Sequence, residues 1–209
     1  MISKSHYISD GETEERQLYN IKSALDIGIK CIQFRFKNAE NQQRLHTAEK
    51  VKFLCDEYHC DLIINDHIDI ALDLDANGVH LGLSDTSIAI ARKLMPNKII
   101  GGTANTLQHL IQRNREGCDY IGLGPYRFTV TKRKLHPILG IENYKILLSD
   151  CVRMQLSTPI IAIGGIQLDD IEELLRFGVY GIAYSSLINN SNDKKLTALT
   201  INNLLYGHI

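Results

Sequence analysis

Asp61-Leu62-Ile63-Ile64-Asn65-Asp66 sets three apolar side chains in a row between polar ends, with no alternation. A strand with one wet face alternates apolar and polar residues. A short unbroken apolar run is the pattern of a strand covered on both faces, as in a parallel sheet. Ile160-Ile161-Ala162-Ile163 repeats it far downstream. Working outward from these two runs, β-branched segments predict strands at 6–9, 31–36, 61–65, 78–81, 99–103, 119–124, 159–164 and 181–184. Helix-period segments lie between them. In 41–58 the residues Leu45, Ala48, Val51, Cys55 and Tyr58 recur at steps of three and four. In 168–177 Ile171, Leu174 and Leu175 are apolar, and the acids at 169, 170, 172 and 173 are expected to face out. Gly28, Gly117 and Gly178 each follow a helical stretch, where a left-handed residue commonly ends a helix. Eight βα repeats in order predict an α/β protein, a compact single-domain (β/α)8 TIM barrel over residues 1–209. A doubly wound open sheet is the competing arrangement.

The composition narrows the function. Of 209 residues, 44% are hydrophobic, enough for a sizeable core. Lys and Arg number 23 against 24 Asp and Glu, a net charge of −1, which argues against a nucleic-acid or membrane-surface protein. No run approaches the roughly 18 apolar residues of a membrane span. Residues 1–11 are polar and carry no signal-peptide stretch. Five scattered cysteines with no C-x-x-C pair suggest neither a disulfide framework nor a zinc site. The expectation is a cytoplasmic enzyme, with homo-oligomerisation left open. An average of about 26 residues per repeat leaves one generous insertion, the basic segment 125–139 after the sixth strand. Oversized loops at strand C-termini are where barrels carry their chemistry, so this segment is the candidate mobile active-site loop.

Polar residues gather at predicted strand ends. In the second strand, alternation puts Gln33, Arg35 and Lys37 on one side and Phe34 and Phe36 on the other. The phenylalanines suit the helix-packed side, which leaves two cations and an amide at the inner mouth. Such cations call for an anionic ligand such as phosphate, or for an acid from another strand. The third strand ends in Asn65-Asp66, and the fourth leads through Gly82 to Asp85. Two carboxylates at neighbouring strand ends suit Mg²⁺, with water and phosphate oxygens in the remaining positions, although each also precedes a helix and could be a simple N-cap. The 125–139 segment holds Arg127, Lys132, Arg133 and Lys134 with no acid, beside the hydroxyls of Thr129 and Thr131. That suits a phosphate, or a solvated basic loop. Gly164-Gly165 after the seventh strand and Ser185-Ser186 after the eighth stand at the usual phosphate position of barrels. The eight histidines show no metal spacing; His80, inside the fourth strand, reads as a satisfied core residue.

Taken together, Gln33-x-Arg35-x-Lys37, Ile64-Asn65-Asp66, Gly78-Val79-His80-Leu81-Gly82 with Asp85, the segment from Asp119 to Pro125, Thr129-x-Thr131-Lys132 and Ala162-Ile163-Gly164-Gly165-Ile166 resemble the thiamine-phosphate synthase family over nearly the whole chain. The resemblance implies a transferase that joins an aminopyrimidine methyl diphosphate to a thiazole phosphate and releases pyrophosphate. It implies a pyrimidine diphosphate site at Gln33, Arg35, Lys37, Asn65, Thr103 and Lys132, with Arg35, Lys37 and Lys132 serving catalysis. Mg²⁺ would be held by Asp66 and Asp85. The thiazole phosphate would be held by Thr129, Val130, Thr131, Gly165, Ser185 and Ser186. The chain departs from the family pattern at Phe36, His67, Leu83-Ser84, Thr103, Asn105, Arg127-Phe128 and Ser185. Two other readings share the barrel: a thiazole tautomerase, and a non-catalytic phosphate-ligand-binding relative. The carboxylate pair, and Asn105 where the tautomerase branch uses a histidine, favour the synthase.

Overall fold

The structure, a computed structural model, describes residues 2–128 and 137–207. Eight parallel strands close into a barrel in sequence order: β1 (Ser5–Ile8), β2 (Cys31–Phe34), β3 (Asp61–Asn65), β4 (Gly78–Leu81), β5 (Ile99–Ala104), β6 (Tyr120–Leu123), β7 (Ile160–Ile163) and β8 (Gly181–Tyr184). The ladder is completed by β1 against β8, with Tyr7 beside Tyr184. This closure settles the fold as the barrel and removes the open-sheet competitor. Helices α1 (Glu14–Asp26), α2 (Asn41–Glu57), α3 (Ile68–Asp73), α4 (Ile88–Leu94), α5 (Leu107–Glu116), α6 (Gly140–Arg153) and α7 (Ile171–Arg176) follow the first seven strands, and α8 (Ser186–Asn189) and α9 (Lys194–Tyr206) follow the eighth. Thr13, Ser87, Thr106 and Asp193 each accept an N–H of the first turn of α1, α4, α5 and α9, the ordinary way to satisfy a helix start. Gly28, Gly117 and Gly178 all carry positive φ at the expected helix ends.

The continuous apolar runs conceal two populations. Ile32, Phe34, Leu62, Ile64, Val79, Leu81, Ile121, Leu123, Ile160 and Ala162 point outward into the layer shared with the helices. Inside, Tyr120, Ile161 and Ala183 pack with Ile8, Ile99 and Ile163. The centre of the barrel is a stack of aromatic rings. His6 meets Tyr120 edge-on at 4.9 Å, and His80 stacks on it at 5.5 Å. Space for the tyrosine comes from Gly101 on β5, where a Cβ would lie 2.2 Å from the ring carbon Cζ. The barrel is therefore filled by side chains, and the room for a ligand is at its rim.

Three strands, β2, β6 and β7, are each two residues shorter than expected. β2 ends at Phe34 because the next amide, Arg35 N–H, leaves the ladder to donate to Ser9 Oγ at 2.9 Å. Phe36 still reaches the outer core, its ring 6.5 Å from that of Phe34. The 168–177 segment divides into a 3₁₀ turn, Leu168–Asp170, followed by α7. Its acids do not all face out: Asp170 is buried, drawn in by Arg127.

Candidate active site

The C-terminal ends of β2, β3 and β4 bring Gln33, Arg35, Lys37, Asn65, Asp66 and Asp85 to one side of the rim. Gln33 is buried and donates from Nε2 to Asn65 Oδ1 at 2.8 Å, a bond that fixes both amides across neighbouring strands. Arg35 is held at its backbone by Ser9 Oγ and by Gln17 Nε2, which donates to its carbonyl at 3.1 Å. Burial lowers the pKa of its guanidinium, and the charges of Asp66 and Asp10 oppose that shift. Lys37 Nζ lies 3.8 Å from Asp66 Oδ2. The acid that sequence left unassigned for these cations is thus Asp66 itself.

Asp66 sits in left-handed backbone at φ 68°, with its N–H on the carbonyl of His80 at 2.9 Å. Asp85 folds back so that its Oδ2 accepts from Gly82 N–H at 2.6 Å. Neither residue caps a helix: His67 and Ser87 occupy the caps of α3 and α4. The Asp66 carboxyl is pushed up to about 6, first by burial and then by Asp85, which stands beside it as hydrogen-bond partner and like charge. A carboxylate pair crowded enough to resist full ionisation fits a divalent cation bound through one or two carboxylates. Among the described residues no group of three or more His, Cys, Asp and Glu gathers for a metal, so further ligands would be water and substrate oxygens.

Below the rim, Thr103 Oγ1 of β5 meets His80 Nε2 of β4 at 3.0 Å, and His80 Nδ1 meets the hydroxyl of Tyr120, which opens β6, at 3.0 Å. His80 is the satisfied core histidine expected. Arg113 of α5 was not anticipated. It is buried and donates to the Thr103 carbonyl at 3.2 Å and the Gly82 carbonyl at 2.9 Å, tying two site loops together. Its signal in the sequence is faint, because an arginine in a helix's last turn reads as a solvated charge near the C-terminus. Asn105 donates from Nδ2 to the Gly124 carbonyl, and its buried Oδ1 has no partner among the described residues.

Across the rim, β7 is followed by Gly164 and Gly165, at φ 95° and 67°. Ser185 accepts from Asn189 Nδ2 at 3.3 Å, and Ser186 opens α8. Thr129, Val130, Thr131 and Lys132 lie outside the described residues. The described ends of their segment are joined, with Leu139 N–H on the Pro125 carbonyl and Gly140 N–H on the Tyr126 carbonyl, both at 2.9 Å.

A closed parallel (β/α)8 barrel with cations, paired carboxylates and a double-glycine turn around one rim is the architecture of an enzyme acting on small phosphorylated substrates. The sequence model of the thiamine monophosphate synthase family matches residues 5–188, and the chain belongs to that family. It is 47% identical over 194 residues to the thiamine-phosphate synthase of Flavobacterium psychrophilum, covering 92% of this chain and 94% of the other. To that of Flavobacterium johnsoniae it is 46% identical, covering 100% and 99%. Among solved structures, a thiamine phosphate pyrophosphorylase from Pyrococcus furiosus superposes with a TM-score of 0.80 at 29% identity, over 97% and 95% of the two chains. The tautomerase and non-catalytic readings find no support in these matches.

Proposed function

We propose that the chain couples an aminopyrimidine methyl diphosphate to a thiazole phosphate, giving thiamine phosphate and pyrophosphate. The observation that carries this reading is the Asp66–Asp85 pair beside Arg35 and Lys37 at the ends of β2, β3 and β4. A diphosphate would take the cations, and Asp66 and Asp85 would hold Mg²⁺, which when bound supplies positive charge to the leaving group. The carbon–oxygen bond at the pyrimidine methylene breaks with its electron pair on the departing pyrophosphate. The thiazole nitrogen lone pair then forms the new carbon–nitrogen bond. The electron-rich aminopyrimidine supports the cation between these events, so no nucleophilic side chain and no general base is required.

Arg35, Lys37 and Lys132 counter the charge that builds on pyrophosphate. Gln33 and Asn65, already bonded to each other, and Thr103 orient the pyrimidine diphosphate. Thr129, Val130, Thr131, Gly165, Ser185 and Ser186 hold the thiazole phosphate, and placing both substrates in line lowers the entropic part of the barrier. The 125–139 segment serves as a loop over the diphosphate that keeps out water. Among the described residues no helix is long and apolar enough to cross a membrane, and five unpaired thiols suit a reducing cytoplasm.

The test is direct. Purified protein, both substrates and Mg²⁺ give thiamine phosphate by mass spectrometry, and Lys132→Ala lowers turnover at least about a hundredfold. Product formed equally in chelator removes the metal, no product under any condition removes the reading, and near-wild-type turnover in K132A removes that residue's role.

A further inference from the structure

We propose that the Arg127–Asp170 ion pair is a positioning device for the thiazole phosphate: it clamps the turn after β7 so that two successive amides face the anion. The inference rests on the functional reading above and adds to it two residues that touch neither substrate. Arg127 is one of the positions where the chain departs from the family pattern, and the sequence pattern predicts Asp170 to face outward.

Three consecutive carbonyls of the β7 exit are taken from the β6 side. Tyr126 N–H donates to the carbonyl of Ile163 at 2.9 Å and Arg127 N–H to that of Gly164 at 2.8 Å. The Arg127 guanidinium reaches the carbonyl of Gly165 at 3.2 Å. In a trans peptide the carbonyl and the following N–H point in opposite directions. Fixing the carbonyls of Gly164 and Gly165 toward β6 therefore turns the amides of Gly165 and Ile166 to the other side. Among the described residues neither amide meets an acceptor. With Gly164 and Gly165 both at positive φ, this is the backbone concavity that receives anionic oxygens.

What keeps the turn so arranged is the ion pair. The guanidinium fork meets both oxygens of Asp170, with Nη2 to Oδ1 at 2.6 Å. The Asp170 side chain is only 9% exposed, and its Oδ2 also accepts from Gln167 N–H at 2.8 Å. Residues 165–167 are thus framed between Arg127 and the carboxylate it binds. A Cβ on residue 165 would lie 2.8 Å from Arg127 Cβ, so the arginine stem packs directly on that glycine. A bidentate pair whose carboxylate is buried holds geometry that a lysine, as a point charge, holds less well.

Steady-state kinetics on the full chain test this. Arg127→Met raises KM for the thiazole phosphate about tenfold, leaves KM for the pyrimidine diphosphate within about twofold, and changes kcat less than about threefold. R127K falls between R127M and wild type. D170N acts in the same direction, and the R127M/D170N double variant is no worse than the worse single variant, because both remove one device. Independently of turnover, R127M weakens binding of inorganic phosphate, read by calorimetry. A KM rise shared equally by both substrates, a fall in kcat alone, or unchanged phosphate binding in a variant with wild-type melting overturns the proposal. If R127M does not fold, R127K and D170N decide it by the same readouts. If wild type makes no product, the functional reading falls, and phosphate binding by wild type against R127K still decides the clamp.

Discussion

Two ionisable residues pull acid stability in opposite directions. His6 is buried inside the barrel, donates through Nε2 to the Ser3 carbonyl at 2.8 Å, and leaves Nδ1 without a partner among the described residues. Burial holds its pKa down to about 4, so the folded chain resists a proton that the unfolded chain accepts. Its contribution is present above pH 6.5 and is lost as pH falls toward about 4. Asp66 runs the other way. Its folded pKa is raised to about 6, so its contribution is fullest below about pH 4 and is lost as pH rises to about 6. In urea titrations of the metal-free protein, H6Q should therefore flatten the loss of stability on acidification, by up to about 1.4 kcal/mol per pH unit. D66N should be more stable than wild type by about 1–3 kcal/mol at pH 7 and equal to it at pH 4, while losing activity. If the two variants show wild-type pH slopes, these burial assignments are wrong. At this scale the sequence was legible where motifs carry chemistry: Gln33, Asn65, Asp66 and Asp85 do converge. It was not legible where a partner comes from a distant strand. Nothing local to Asp170 announces Arg127, and nothing local to Arg113 announces the two carbonyls it bridges.

Among the elements, β5 (Ile99–Ala104) shows why strands were easy to find and their facing residues were not. Apolar runs bounded by polar residues mark a buried strand wherever it occurs, and the observed limits of β3, β4 and β8 are those expected. Which residue faces inward follows from the closed ladder, and Gly101 acquires its meaning only from Tyr120 across the next strand. Tyr120 cannot retreat, because its hydroxyl is held by His80 and its ring lies between two histidines. Gly101→Ala should therefore destabilise the protein by about 1–3 kcal/mol in chemical denaturation, the cost of overpacking a fixed ring. A G101A variant with the wild-type midpoint would show that the barrel interior has slack. The end of β2 carries the complementary lesson. Alternation correctly separated Arg35 from Phe34 and Phe36, but the strand stops once a serine hydroxyl replaces a ladder carbonyl. Capture of a backbone amide by a distant side chain leaves no periodic trace.

For the molecule as a whole, a net charge of −1 conceals a local gathering of charges of both signs. Arg35 and Lys37 stand with Asp66 and Asp85 on one side of the rim, and the glycine turn and serines stand across from them. Binding of Mg²⁺ with inorganic pyrophosphate should raise the melting temperature of wild type by several degrees, since a ligand that prefers the folded state stabilises it. The rise should disappear in D66N, and an equal rise in D66N would place the cation elsewhere. The closed ladder has one more consequence. The five cysteines are all unpaired and all buried: Cys31, Cys55 and Cys60 neighbour one another, and Cys118 and Cys151 stand elsewhere. Burial raises the pKa of Cys31, Cys118 and Cys151, so their reactive thiolate form is suppressed as well as shielded. A thiol reagent in solution can label them only when the packing around them opens, by a helix lifting or by staves parting. The rate of alkylation is thus a built-in clock for opening of the fold, and its slowing by substrate would measure how firmly a ligand at the rim holds the staves together.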